Sequence, residues 1–155
     1  MIRVLFLCLG NICRSPMAEA VFRKMVKDEG LDDKIEIDSA GLGGWHVGER
    51  PHRGTLEVLN KHGVDHAGIR ARQFTKQDIQ AFDYIVAMDE DNMSGLARLG
   101  VKKGPRVFKL LDLVPDERDS DVPDPYYTGN FDLVYELVHK GCAVLLKKIK
   151  EEYNL

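Results

Sequence analysis

At 155 residues, 44% hydrophobic and 30% charged, the chain has the balance of one soluble globular domain over residues 1–155, long enough to bury a core. A net charge of −3 without a basic block excludes the electrostatic footprint of a nucleic-acid binder. Three cysteines, an odd number with no secretory context, argue against a disulfide framework and for a reducing, cytoplasmic setting.

The chain opens on an apolar run, Ile2 to Leu7, broken only by Arg3, which predicts a buried strand. The run is too short for a signal peptide, leads straight into Asn11 and Arg14, and lacks a small-residue cleavage pattern. No stretch approaches the ~18 apolar residues of a membrane span, so no membrane contact is expected. Next comes Cys8-Leu9-Gly10-Asn11-Ile12-Cys13-Arg14-Ser15-Pro16, and behind it Ala18, Val21, Phe22 and Met25 mark one face of a helix. Ser15 suits the N-cap and Pro16 the first helical position. The Cys8 thiol is therefore expected at the carboxyl end of a strand and Arg14 at the mouth of a helix. Gly10 and Asn11 tolerate φ > 0, so the loop can turn its N–H groups inward. Backbone donors, a helix N-terminus and a guanidinium then converge on an anion site with a nucleophile beneath it.

The chemistry of such a site is specific. A cysteine facing a helix N-terminus and an arginine has its thiolate stabilised. Arg14 can bind two oxygens of a phosphate bidentately and hold them as charge shifts in the transition state. A lone strand-end cysteine is ordinarily a packing residue. Strand, glycine, arginine and cap in this order weigh against that reading here. A nucleotide-binding P-loop is excluded, because no Lys-Ser or Lys-Thr follows the glycine.

Lys34 to Ala40 alternates and predicts a second strand. The glycine-rich loop 41–48 follows, carrying the single tryptophan, Trp45. With few apolar neighbours in sequence, Trp45 is expected to wall a pocket rather than fill the core. Pro51 opens a helix with Thr55, Leu56, Val58 and Leu59, stopping at His62-Gly63. Residues 65–72 carry no readable periodicity. Thr75 suits the cap of a short helix ending near Phe82. Tyr84 to Met88 is a continuous apolar run, hence a central strand, and Asp89 to Leu99 a further helix. Val107 to Leu110 is a weaker last strand. Residues 112–130 form a long acidic loop, a feature that is usually functional or disordered, and its tyrosines and prolines favour order. Val134, Leu137, Val138, Cys142, Leu145 and Ile149 mark an amphipathic closing helix. Strands alternating with helices imply a doubly wound α/β domain, its parallel sheet covered on both faces and its ligand at the carboxyl strand ends.

A leaving alkoxide or phenoxide needs a proton, so a carboxylic acid on a covering loop is required. Asp124 fits, with Pro123 and Pro125 fixing its backbone and Tyr126 and Tyr127 able to wall an aromatic pocket. It reads equally as a turn residue, since Asp beside Pro is common in turns. Asp119 and Asp121 are weaker rivals without rigid flanks. His46, His52, His62, His66 and His139 show no metal-ligand spacing with cysteine and read as surface residues.

Cys8-Leu9-Gly10-Asn11-Ile12-Cys13-Arg14-Ser15 together with Asp124-Pro125-Tyr126-Tyr127 resembles the low-molecular-weight protein tyrosine phosphatases. The likeness covers nearly the whole chain, including Asp38-Ser39-Ala40-Gly41 and Phe82 to Asp89. It implies a small sheet of about four parallel strands in the order 2-1-3-4. It also implies that Cys8 attacks phosphorus to form a phosphocysteine, while Asp124 protonates the leaving oxygen and then activates water. By the same resemblance Ser15 hydrogen-bonds the departing thiolate, Asn11 pins the loop through contacts including Ser39, and no metal or cofactor is needed. Leu9, Gly10, Ile12, Cys13, Trp45, Tyr126 and Tyr127 would contact substrate. The expected partners are phosphotyrosine-containing proteins, met by a monomer.

One departure stands out. Many members carry a histidine shortly before the arginine matching Arg72 that helps hold the loop asparagine, whereas this chain has Ile69-Arg70-Ala71-Arg72. Thioredoxin-coupled arsenate reductases share the fold and loop but relay a disulfide through cysteines after the third strand, where Asp89 to Ser94 has none. A sugar-transport phosphocarrier would need neither Arg14 nor Asp124, and a pure anion-binding module would not need the thiol. Phosphoarginine phosphatases resembling this protein carry threonine at the position matching Ile12. An isoleucine suits a phenyl ring but cannot partner the N–H groups of a phosphoguanidinium. Cys13 is open to two readings, a thiol that captures oxidised Cys8 or simple loop packing.

Overall fold

Four parallel strands form a single sheet in the order β2-β1-β3-β4 in a computed structural model that describes residues 1–117 and 121–155. They are β1 (Ile2–Cys8), β2 (Ile35–Gly41), β3 (Tyr84–Ala87) and β4 (Val107–Lys109). The doubly wound α/β architecture expected from the alternating elements, and the strand order implied by the family resemblance, are those observed. In β1, at the sheet's centre, Val4, Leu5, Phe6 and Leu7 are all fully buried, because helices cover both faces and an alternating polar pattern has no solvent to face.

The strand period divides the core in two. Val4, Phe6 and Cys8 face one side, with α1 (Arg14–Asp28), α2 (Arg53–Lys61) and the closing α6 (Phe131–Tyr153). There Phe22 of α1 meets Phe6 edge-on, ring centroids 5.5 Å apart. Leu5 and Leu7 face the other side, beneath Ile79 of α3 (Lys76–Ala81) and Met93 and Leu96 of α4 (Glu90–Arg98). In α6, Val134, Val138, Cys142, Leu145 and Ile149 recur every three or four residues and are all completely buried.

Two local expectations change. Helix α1 begins two residues earlier than a Ser15 cap would allow: Cys13 is the N-cap residue, without a side-chain cap bond, and Ser15 and Pro16 lie in the first turn. A proline is tolerated there because first-turn N–H groups lack intrahelical acceptors. The Ser15 hydroxyl is drawn instead into the loop below. Residues 112–130 are also more regular than a loop. Short 3-10 turns span Leu110–Leu113 and Pro115–Glu117, and a single helical turn, α5, spans Pro125–Thr128. Asp124 caps α5 and Gly129, in the left-handed conformation, ends it. Asp119, one of the rival acids, lies outside the described residues.

Candidate active site

The loop 9–13 leaves the carboxyl end of β1 beside β2, with Cys8 opposite Gly41 in the parallel register. Asn11 alone in the loop takes the left-handed conformation, φ 56°, which asparagine tolerates better than other side chains. Gly10 serves close approach instead: a Cβ there would lie 3.2 Å from His46 Cδ2. Gly41 is tighter still, since a Cβ on it would stand 3.0 Å from both Gly10 C and Leu9 O. Among the described residues the backbone N–H groups of Leu9 to Cys13 donate to no protein acceptor. They form an open row of donors at the mouth of α1.

Asn11 is fully engaged without a histidine. Its Nδ2 donates to Ser15 Oγ at 2.7 Å and to Ser39 Oγ at 3.0 Å, and its Oδ1 accepts from Arg72 N at 2.9 Å. Ile69 is packed in the core, where a histidine would need partners of its own. Ser39 Oγ donates its single proton to Glu19 Oε1 at 2.6 Å, so toward Asn11 it accepts. Ser15 Oγ likewise accepts from Asn11, which leaves its proton for Cys8 Sγ at 2.9 Å. Two branches of donation thus run outward from the Asn11 amide, one through Ser39 to Glu19 and one through Ser15 to the thiol. Glu19 is only 7% exposed, and burial pushes its carboxyl up to about 7 despite the Ser39 bond and the nearby Arg23 and Arg72 charges.

Arg14 is 2% exposed, yet charged. Burial opposes its charge, but Cys8, Asp89 and Asp124 outweigh that cost and raise its pKa further. NH1 donates to Asp89 Oδ2 at 2.6 Å and to Val122 O at 2.8 Å, and NH2 lies 3.5 Å from Asp124 Oδ2. Asp124 uses its other oxygen, Oδ1, to cap α5 through Tyr126 N at 3.1 Å. The two sequence readings of Asp124 are therefore compatible, one for each oxygen. Burial and the adjacent Cys8 and Asp124 charges push the Cys13 thiol up to about 12.

These groups line a cleft of about 240 Å³ formed by Cys8, Leu9, Gly10, Ile12, Cys13, Arg14, Trp45, His46, Asp124, Tyr126 and Tyr127. Asn11, Ser15 and Ser39 stand behind it. Trp45 and Tyr127 are 69% and 77% exposed, so the rim is an aromatic slot open to solvent rather than core. Tyr126 packs edge-on against His52 and Tyr127. Asp121 pairs with Lys109 and does not line the cleft.

Sequence reasoning missed three groups here. Asp89 anchors Arg14, and its position at the carboxyl end of β3 was a usable signal, since open α/β sheets gather ligand groups there. His46, taken for a surface residue, lines the cleft and holds Glu49 Oε2 at 2.9 Å from Nδ1. Glu19 carried no signal, being one of two acids, with Asp28, on a helix of mixed polarity.

The family profile described as low molecular weight phosphotyrosine protein phosphatase matches residues 3–155. The chain belongs to this family. As a member of it, the chain is similar to YfkJ, a low molecular weight protein-tyrosine-phosphatase of Bacillus subtilis. The two are 53% identical over the full length of both. The crystal structure of YfkJ superposes with a TM-score of 0.94, covering 98% of this chain and 96% of that one. PtpA, a low molecular weight protein-tyrosine-phosphatase of Staphylococcus aureus, is 46% identical over all of this chain and 98% of its own. A Drosophila arginine phosphatase shares the fold at a TM-score of 0.87 and 33% identity, with 96% of this chain and 98% of that one covered.

Proposed function

We propose that this protein, by family a protein tyrosine phosphatase, hydrolyses phosphotyrosine through Cys8, Arg14 and Asp124. The Cys8 thiolate attacks phosphorus, the P–O bond to the tyrosine ring breaks, and Asp124 supplies the proton taken by the phenolic oxygen. Asp89 and Val122 occupy NH1 of Arg14, which leaves the rest of the fork, with the open N–H groups of the loop, for the phosphoryl oxygens. Asp124, now a carboxylate, takes a proton from water as that water attacks the phosphocysteine, and phosphate leaves. The departing sulfur is again a thiolate, the state that the Ser15 hydroxyl stabilises. Every developing charge meets a group of the chain, so the scheme uses no metal or cofactor. The observation that carries the reading is the 2.9 Å Ser15–Cys8 contact in a cleft that Arg14 and Asp124 also line.

Its substrates in this reading are phosphotyrosine-containing proteins, bound by a cytoplasmic monomer. Among the described residues no helix is long and apolar enough to cross a membrane. Ile12 and the rim formed by Trp45, Tyr126 and Tyr127 favour an aryl group over a guanidinium, despite the likeness to an arginine phosphatase. The decisive experiment is steady-state hydrolysis of p-nitrophenyl phosphate and phosphotyrosine peptides in EDTA by wild type and Cys8→Ser. Wild type turns over both, and the variant falls below about a thousandth of its rate, as when a cooperating catalytic set loses its nucleophile. A variant that keeps more than that removes Cys8 as the nucleophile.

A further inference from the structure

Lys109, the last residue of β4, has no part in the chemistry described above, yet it is only 5% exposed. A lysine is seldom taken out of water unless it is paired. Its Nζ lies 3.0 Å from Asp121 Oδ1 and 3.2 Å from Glu90 Oε2. Asp121 Oδ1 is held a second time by Glu90 N, 3.1 Å away at the start of α4. A third carboxylate, Asp112, accepts from the Lys109 backbone N–H at 3.2 Å. The buried ammonium therefore sits between two acids, Asp121 and Glu90, that would otherwise repel one another, while Asp112 also pairs with Lys103 Nζ at 3.5 Å.

What Asp121 ties down is the approach to Asp124. The next residue, Val122, is completely buried. Its N–H donates to Met88 O at 2.9 Å and its carbonyl accepts from Arg14 NH1 at 2.8 Å. Pro123 follows with its φ fixed by the ring, and Asp124 comes next. The segment 121–124 is thus held at Asp121 and again at Val122, and the two holds together set where the Asp124 carboxyl stands. The other ties on Asp124 are the 3.5 Å approach to Arg14 and the cap of α5.

We propose that Lys109 is a positioning residue for the proton donor, clamping Asp121 so that Asp124 stands over the Cys8 cleft. The inference rests on the assignment of Asp124 as the acid, and the test separates the two. Lys109→Met, Lys109→Arg, Asp121→Ala and Asp124→Asn are assayed for kcat/KM on aryl phosphates running from p-nitrophenyl to phenyl phosphate. This parameter reports the steps up to departure of the leaving group. Nitrophenolate leaves without a proton, whereas phenolate needs one. Misplacing the acid therefore costs little on the first substrate and much on the last. Lys109→Met and Asp121→Ala are expected to lose about tenfold more on phenyl than on p-nitrophenyl phosphate, a part of the 10²–10⁴ that a well-placed acid contributes. Lys109→Arg should recover most of that difference.

A loss equal across the series means general damage and overturns the proposal, as does no loss at all. Asp121→Ala alters a half-exposed side chain and keeps the test alive if Lys109→Met does not fold. If Asp124→Asn itself shows no dependence on the leaving group, the acid assignment falls and the clamp with it. If Asp124→Asn shows the dependence while Lys109→Met and Asp121→Ala do not, the clamp alone falls.

Discussion

Replacing Glu19 with glutamine tests the buried end of one of the two hydrogen-bond branches that leave Asn11. Burial raises the Glu19 carboxyl from 4.5 to about 7, so the folded protein holds this proton more tightly than the unfolded chain. Stability from the bound proton is fully present below about pH 4.5 and is lost as pH rises through about 7. At ~1.4 kcal/mol per unit, the gap is worth roughly 3 kcal/mol. Glutamine keeps an Oε1 to accept from Ser39 but carries no titrating proton. Glu19→Gln should therefore match wild type near pH 5 and exceed it by up to roughly 3 kcal/mol near pH 8.5, a gain of about 6–10 °C in a domain of this size. Thermal unfolding followed by circular dichroism at pH 5, 7 and 8.5 reads the difference directly. A Tm difference that does not change with pH, or a variant that loses ground as pH rises, would refute the reasoning. In either case the carboxyl would be charged in the fold and held by Arg23 and Arg72.

Asp124→Asn should slow phosphotyrosine hydrolysis by roughly 10²–10⁴, the usual worth of general acid–base catalysis, and an unchanged rate on a poor leaving group would move that role elsewhere. Ile12→Thr should lower the phosphotyrosine rate and raise that on phosphoarginine, a shift of about 1–3 kcal/mol in discrimination. Wild type acting equally on both would remove Ile12 as a specificity residue. Cys8 and Cys13 line one cleft, and mild peroxide should oxidise Cys8 to a sulfenic acid that Cys13 captures as a disulfide with loss of water. Peptide mapping that finds sulfinic acid at Cys8 and no Cys8–Cys13 link would make Cys13 a packing residue.

The heart of the site was legible because its parts are neighbours in sequence. Strand, thiol, turn, arginine and helix follow one another within 2–28, and each carries its own local signal. Asp124 was singled out through its rigid flanks, 110 residues from Arg14, and it lines the same cleft. What escaped depends on partners that only tertiary packing supplies. Asp89 meets Arg14 across 75 residues, and Glu19 becomes a buried group only when Ser39 is laid beside it. The Ser15 cap was misplaced for a local reason: a helix cap and the thiol 7 residues earlier compete for one hydroxyl, and the thiol wins. Asn11 needed no histidine because the backbone of Arg72, in a stretch without periodicity, supplies the missing donor.

The close fit of Gly41 beneath the loop sets what this enzyme can become. Any side chain at Gly41 would push on Leu9, Gly10 and Asn11 together and displace the row of donors, so the floor of the cleft has no tolerance for drift. The walls are otherwise. Trp45, Tyr126 and Tyr127 stand mostly in solvent, and exchanging them opens no cavity and strands no polar group. Phosphate chemistry and the choice of what carries the phosphate are thereby mechanically separate. New substrates can be reached by trading side chains at the rim, while the machinery below stays as it is.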